Sequence, residues 1–133
     1  MEKPKNINKI IIRSPNWVGD VVMATPAFRC IRENFPDAII TLALKSYIQK
    51  LIEGAPWFDK LFLLDSKDRL PGGAQYFPVV KHIRAQKYDL GFLFPNSFSS
   101  AFMFWSGGVK RRVGYKRDAR AWFLTDGINR LYE

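Results

Sequence analysis

The chain has 133 residues, 47% of them hydrophobic and 15% aromatic, enough for one substantial core and too few for two complete domains, so residues 1–133 are expected to form a single domain. Its 21 lysines and arginines outnumber 12 aspartates and glutamates, and the formal net charge of +9 suits an anionic partner such as phosphate, nucleic acid or an acidic membrane face. One cysteine, Cys30, excludes an internal disulfide, one histidine, His82, leaves too few ligands for a standard zinc site, and the apolar run Ile10–Ile12 is far too short for a signal-peptide core or a membrane span, which points to a cytoplasmic protein.

Lys9 to Arg13 is short, β-branched and free of polar interruption, the pattern of a strand buried on both faces of a parallel sheet. Ser14, Pro15 and Asn16 end it, and from Val18 the residues Val21, Val22, Thr25, Phe28, Ile31 and Phe35 recur at helical spacing. Pro26 falls inside that helix, so a kink near Val22 to Thr25 is expected, and the helix should stop before Pro36. Ala38 to Leu44 predicts a second strand, Tyr47 to Glu53 a short helix and Lys60 to Leu64 a third strand.

Pro71, Gly72 and Gly73 mark a loop, followed by a helix over about Ala74 to Gln86 with Phe77, Val80 and Ile83 facing inward. Tyr88 to Phe94 predicts a fourth strand. Ser97 to Trp105 carries Phe98, Ala101, Phe102 and Trp105 at helical spacing and is apolar nearly all round, so burial of this helix is expected, with contact to an anionic membrane as its alternative. Arg111 to Tyr115 reads as a fifth strand, and the segment after Asp126 as the opening of another helix. Strands alternating with helices define a doubly wound, mainly parallel α/β sheet. Cys30 is expected as filler in helix packing, His82 on a helix surface.

Ligands of open α/β sheets bind beyond the carboxyl ends of the strands, which directs attention to the first loop, Ser14-Pro15-Asn16-Trp17-Val18-Gly19-Asp20. Gly19 permits close backbone approach, and Asp20 falls in the first turn of the following helix, where free N–H groups and the helix dipole favour negative charge. An acid near a helix start is common for that reason alone. At a strand-to-helix crossover, however, the carboxylate can also meet a bound hydroxyl and take its proton. Neither a Walker loop nor a three-glycine dinucleotide fingerprint is present, and Lys45 stands where a dinucleotide site wants an acid at the end of the second strand.

The run Lys9 to Ala27, with Asn16-Trp17-Val18-Gly19-Asp20 at its centre, resembles the N-terminal signature of the heptosyltransferase family, glycosyltransferase family 9. Leu93-Phe94-Pro95-Asn96-Ser97-Phe98-Ser99-Ser100-Ala101, continuing through Gly108 to Arg112, Val113, Gly114 and Tyr115, is similar to a second segment of that family. The resemblance implies the N-terminal, acceptor half of a GT-B glycosyltransferase built from two Rossmann-like domains, the C-terminal nucleotide-sugar domain being absent from this chain. It further implies inverting transfer of heptose from the donor substrate ADP-heptose, with no cofactor, to the inner-core heptose of a lipopolysaccharide glycolipid, Asp20 acting as general base. The donor is expected to bind mainly the C-terminal domain, and the isolated chain to be inactive without it.

Acceptor contacts are expected from Asn16, Trp17 and Gly19 in the first loop, from Asn96 and Ser97 beyond the fourth strand, and from Arg111, Arg112 and Arg120 in the basic segment, where arginine suits phosphates and acidic sugars. Each also has a plainer reading: Asn96 and Ser97 as a turn and helix cap, the basic run as a solvated strip. The expected location is cytoplasmic, with peripheral contact at the inner face of the inner membrane. Two other functions stand beside this one. A nucleic-acid-binding module would use the positive charge with the 4 Trp, 5 Tyr and 11 Phe, although no ribonucleoprotein or helix-turn-helix signature occurs and nucleic acid is not the expected partner. A non-catalytic remnant would keep the fold and lack the reaction.

Overall fold

Three consecutive isoleucines at 10–12 are all fully buried, which requires a protein layer on each face of the strand that carries them. The computed structural model, which describes residues 7–64, 76–95, 98–115 and 124–128, supplies both layers. Strand β1 (Lys9–Arg13) leads into helix α1 (Val18–Asn34), then β2 (Ile39–Lys45), a 3₁₀ turn (Ser46–Ile48), the short α2 (Gln49–Ile52) and β3 (Lys60–Leu64). The chain continues through α3 (Tyr76–Gln86), β4 (Leu90–Leu93), α4 (Phe98–Ser106), β5 (Arg111–Tyr115) and β6 (Asp126–Ile128). The six strands lie in the order β3-β2-β1-β4-β5-β6, every neighbouring pair parallel. This is the doubly wound arrangement expected from the alternation of strands and helices.

Ile10 and Ile12 pack with Val21, Phe28 and Ile31 of α1 and with Ile48 and Ile52 beyond β2. Ile11, of opposite parity, packs with Val79 and Ile83 of α3 and with Ala101 and Phe104 of α4. Burial of one isoleucine side chain stabilises the fold by about 1.5–3 kcal/mol, so this single strand anchors both halves of the core. Gly91 in β4 allows the second layer to close, since a Cβ there would stand 2.8 Å from the Phe104 ring and 2.9 Å from Val109 Cγ1.

Two aspartates fasten the amino ends of the strands. Asp89 Oδ2 accepts from the backbone N–H groups of Asn8 at 2.9 Å and Lys9 at 3.0 Å, tying β1 to β4. Asp59 Oδ2 accepts from Ile40 N at 2.8 Å and from Arg32 Nη1 at 3.2 Å, tying β2 to β3 and to α1.

Some expectations change. The buried stripe of α1 is Val21, Ala24, Phe28 and Ile31, and Val22 faces solvent, because a stripe centred on Phe28 turns Val22 away from the sheet. Cys30, one residue before Ile31, lies on the outer face and is exposed, so it is not packing filler. Helix α4 buries Ala101, Met103 and Phe104, but Trp105 is 49% exposed, since a helix laid on a sheet has only one covered face. His82 is on the surface of α3, stacked on Phe62 at 4.5 Å. The segment at Asp126 is strand β6 where a helix start was expected: Thr125 N donates to Arg112 O at 2.9 Å and Arg112 N to Thr125 Oγ1 at 2.6 Å, fixing its register on the edge of β5. Residues 129–133, the remainder of that expected helix, lie outside the described residues.

Candidate active site at the carboxyl edge of the sheet

The chain winds outward from β1 to β3 and then returns to place β4 on the other side of β1, so the carboxyl ends of β1 and β4 flank the topological switch point, where such sheets bind ligands. Ser14 N donates to Ala43 O at 2.9 Å and Phe94 N to Arg13 O at 3.2 Å, continuing the sheet to this edge. Helix α1 then begins at Val18, and its first intrahelical bond runs from Val21 N to Trp17 O at 2.9 Å. The amide groups of its first turn therefore lie free of that ladder beside the exposed carboxylate of Asp20.

Gly19 is exposed, and a Cβ built on it meets nothing within 4 Å. Packing does not demand a glycine there, and its missing side chain keeps the surface next to Asp20 open. Trp17 is 74% exposed at the N-cap position and makes no side-chain capping bond. Asn16 turns inward: its Oδ1 accepts from Arg13 Nη2 at 2.9 Å, and its backbone oxygen accepts from the Tyr47 hydroxyl at 2.5 Å. Arg13 also donates from Nη1 to Ser14 O at 2.9 Å, and burial pushes its guanidinium down to about 10, which leaves it cationic at neutral pH.

The structure thus brings Asn16, Trp17, Gly19 and Asp20 to one edge. It does not bring Arg111 and Arg112 there. Arg111 pairs in register with Leu90, which pairs with Ile10, and Arg112 with Gly91, which pairs with Ile11, so these arginines enter β5 toward the amino edge, about 10 Å and about 7 Å of strand from the row containing Arg13. Arg112 is half-buried, its pKa lowered by that burial, and its Nη1 donates to Val109 O at 2.5 Å. Asn96, Ser97 and Arg120 lie outside the described residues. Arg13 and Tyr47 were not anticipated as site residues. A lone arginine closing an apolar strand was a usable sign for the first, whereas Tyr47 reaches the site only through a contact spanning 31 residues.

An exposed carboxylate in the first turn of a helix, beside an open glycine and an exposed aromatic ring, can receive a polyhydroxyl ligand and accept a proton from it. Lys45 ends β2, so no acid stands at that strand's end to hold a ribose. Among the described residues no group of three or more His, Cys, Asp or Glu could hold a metal ion.

Strand order and crossover site define a Rossmann-like, doubly wound α/β domain, and residues 77–130 match the model of glycosyltransferase family 9 (heptosyltransferase). More particularly, the chain is similar to lipopolysaccharide heptosyltransferase 2 of Escherichia coli (strain K12), 25% identical over 118 residues, which are 89% of this chain and 34% of the relative. Lipooligosaccharide heptosyltransferase 2 of Haemophilus ducreyi is 29% identical over the same shares. The solved structure of E. coli ADP-heptose lipopolysaccharide heptosyltransferase II superimposes with a TM-score of 0.76 at 25% identity, covering 94% of this chain and 35% of that one. The chain spans about a third of the length of the curated relatives it matches. These similarities agree with the resemblance to the heptosyltransferases read from the sequence, and the observed α/β fold superimposes on that of the solved heptosyltransferase II.

Proposed function

We propose that this chain supplies the acceptor side of an inverting heptosyl transfer from ADP-heptose to the inner-core heptose of lipopolysaccharide, with Asp20 as general base. The observation that carries this is the placement of Asp20: exposed, in the first turn of α1, at the carboxyl edge of β1 beside an open Gly19. In the proposed step a hydroxyl of the acceptor heptose gives its proton to the Asp20 carboxylate as its oxygen bonds to the anomeric carbon of the donor. The bond from that carbon to the diphosphate breaks, and ADP leaves with the electron pair. A positioned carboxylate contributes about 10²- to 10⁴-fold to such a step.

Trp17 offers an exposed ring to a sugar face, and Gly19 allows the acceptor to approach the backbone. Asn96, Ser97 and Arg120 remain candidates for acceptor contact. The diphosphate is expected to be held mainly by the part of the relatives' length that this chain does not span. A glycolipid acceptor would bring this protein, read as cytoplasmic, into peripheral contact with the inner face of the inner membrane; no helix among the described residues is long and apolar enough to cross one.

The test is heptose transfer from ADP-heptose to a heptose-bearing lipopolysaccharide core, measured for this chain alone and for an enzyme of the relatives' length that carries it, each with and without Asp20→Asn. Transfer by the longer protein, lost on Asp20→Asn without a change in melting temperature, supports the proposal. Near-normal turnover of that variant removes Asp20 from the base role, and no transfer by a folded longer protein overturns the activity itself.

A further inference from the structure

The entry into α1 lacks two ordinary sources of order. Its N-cap is Trp17, which makes no side-chain capping bond, in place of the Ser, Thr, Asp or Asn that usually satisfies a first-turn amide. Its second residue is Gly19, which adds backbone freedom next to Asp20. A first turn built this way would fray, yet it carries the one carboxylate on which the proposed chemistry depends.

Order comes from behind the loop. Asn16 is gripped at both of its oxygens, Oδ1 by the Arg13 guanidinium at 2.9 Å and the backbone oxygen by the Tyr47 hydroxyl at 2.5 Å. Arg13 is only 6% exposed, and among the described residues no carboxylate stands within ion-pair range of it. Keeping a cation buried without an acid is costly, and Arg13 donates its hydrogen bonds to Ser14 and Asn16, within the loop itself. Tyr47 is 63% exposed, so its ring gains little from packing; its specific bond is the one that crosses from the turn after β2 to the loop after β1.

We infer that Tyr47 is a positioning residue: with Arg13 it forms a strut that clamps Asn16 and thereby fixes the first turn of α1 and the direction of Asp20. The inference rests on Asp20 as the base. A misplacement of such a group by about 1 Å costs on the order of 10²-fold in rate, so a strut far from the sugar can govern turnover.

Amide hydrogen exchange on this chain tests the strut without any need for transfer. Tyr47→Phe, which keeps the ring and removes the donor, is expected to speed exchange of the Val21 amide, the first in the helical ladder, about two- to tenfold while leaving core amides such as Ile11 and Leu42 unchanged. Unchanged Val21 exchange overturns the strut. In a transfer-competent longer enzyme the same variant should lower kcat, leave the donor KM unchanged and move the acidic limb of the rate profile, which a merely structural role would leave in place. Faster Val21 exchange with unaltered kcat overturns the positioning role. Retained turnover of Asp20→Asn sinks the proposed function instead, whatever Tyr47→Phe does to Val21.

Discussion

The Thr25 hydroxyl donates to the Val22 carbonyl oxygen at 2.8 Å, and that carbonyl is the one Pro26, four residues on, has no N–H to serve. Proline inside a helix leaves such an acceptor open, and here the preceding side chain fills it, which lets α1 run from Val18 to Asn34 as one element. Thr25→Val should therefore destabilise the chain by about 0.5–1.5 kcal/mol, and most of that cost should vanish in a Pro26→Ala background, where a backbone N–H returns. Urea denaturation of the two single variants and the double variant measures the coupling; strict additivity would deny the compensation.

Gly91 lets Phe104 and Val109 of the second core layer approach the sheet closely. A methyl group there meets Phe104 and Val109 below 3 Å, and both neighbours are fully buried with little room to retreat. Gly91→Ala is expected to cost about 1–3 kcal/mol through overpacking. In contrast, Gly19→Ala meets no atom within 4 Å and should leave the melting temperature nearly unchanged while hindering acceptor approach. Thermal melts of both variants check the contrast.

Residue patterns announced the layers of the fold, but not the register. The isoleucines at 10–12 required cover on both faces and have it, and the Lys60–Leu64 and Arg111–Tyr115 strands fall where predicted. Asp20 was singled out from the position of its loop after a first parallel strand, and the structure has that loop at the switch point of the sheet. The basic residues between Lys110 and Arg120 read as one patch because they are close in sequence, yet Arg111 and Arg112 open β5, and Lys116, Arg117 and Arg120 lie outside the described residues. The register of β5 sets Arg111 and Arg112 toward its amino end, which sequence proximity alone does not reveal. Tyr47 was missed for the same physical reason in reverse, since a contact spanning 31 residues leaves no local periodicity.

Asp89 accepts from two backbone donors at the start of β1, so its removal strands both amides at once. Asp89→Ala should cost about 1–3 kcal/mol, more than loss of the weak pair with Lys110, which spans 3.7 Å at an exposed lysine. Lys110→Ala is the control and should change stability by less than about 1 kcal/mol. Equal effects of the two variants in chemical denaturation would mean that the backbone bonds contribute little.

Register also separates Arg111 and Arg112 from the proposed chemistry. Arg111→Glu is expected to leave acceptor KM close to that of the parent in a transfer-competent longer enzyme, since its row is that of Ile10 and not that of Arg13. Arg112→Ala should instead lower stability by about 0.5–1.5 kcal/mol, as the Val109 carbonyl loses its donor at the turn into β5. A several-fold rise in acceptor KM for Arg111→Glu would restore that residue to the acceptor surface.

Arg13 gives the fold a pH dependence whose sign follows from its burial. Desolvation pushes its folded-state pKa down to about 10, below the ordinary arginine value of the unfolded chain, with a smaller opposing influence from Tyr47. Below about pH 9 both states hold the proton, so the cost of burying the charge is present in full and does not vary with pH. Above about pH 10 the unfolded chain binds the proton more tightly than the folded one, and stability contributed at this position rises with pH. Comparison with Arg13→Met cancels the lysines and tyrosines common to both proteins. The stability difference between parent and variant should be flat from about pH 6 to 9 and move in the parent's favour toward pH 11. Urea titrations at pH 7, 9 and 11 measure it, and a flat difference across the whole range would mean that the guanidinium is better solvated than its burial implies.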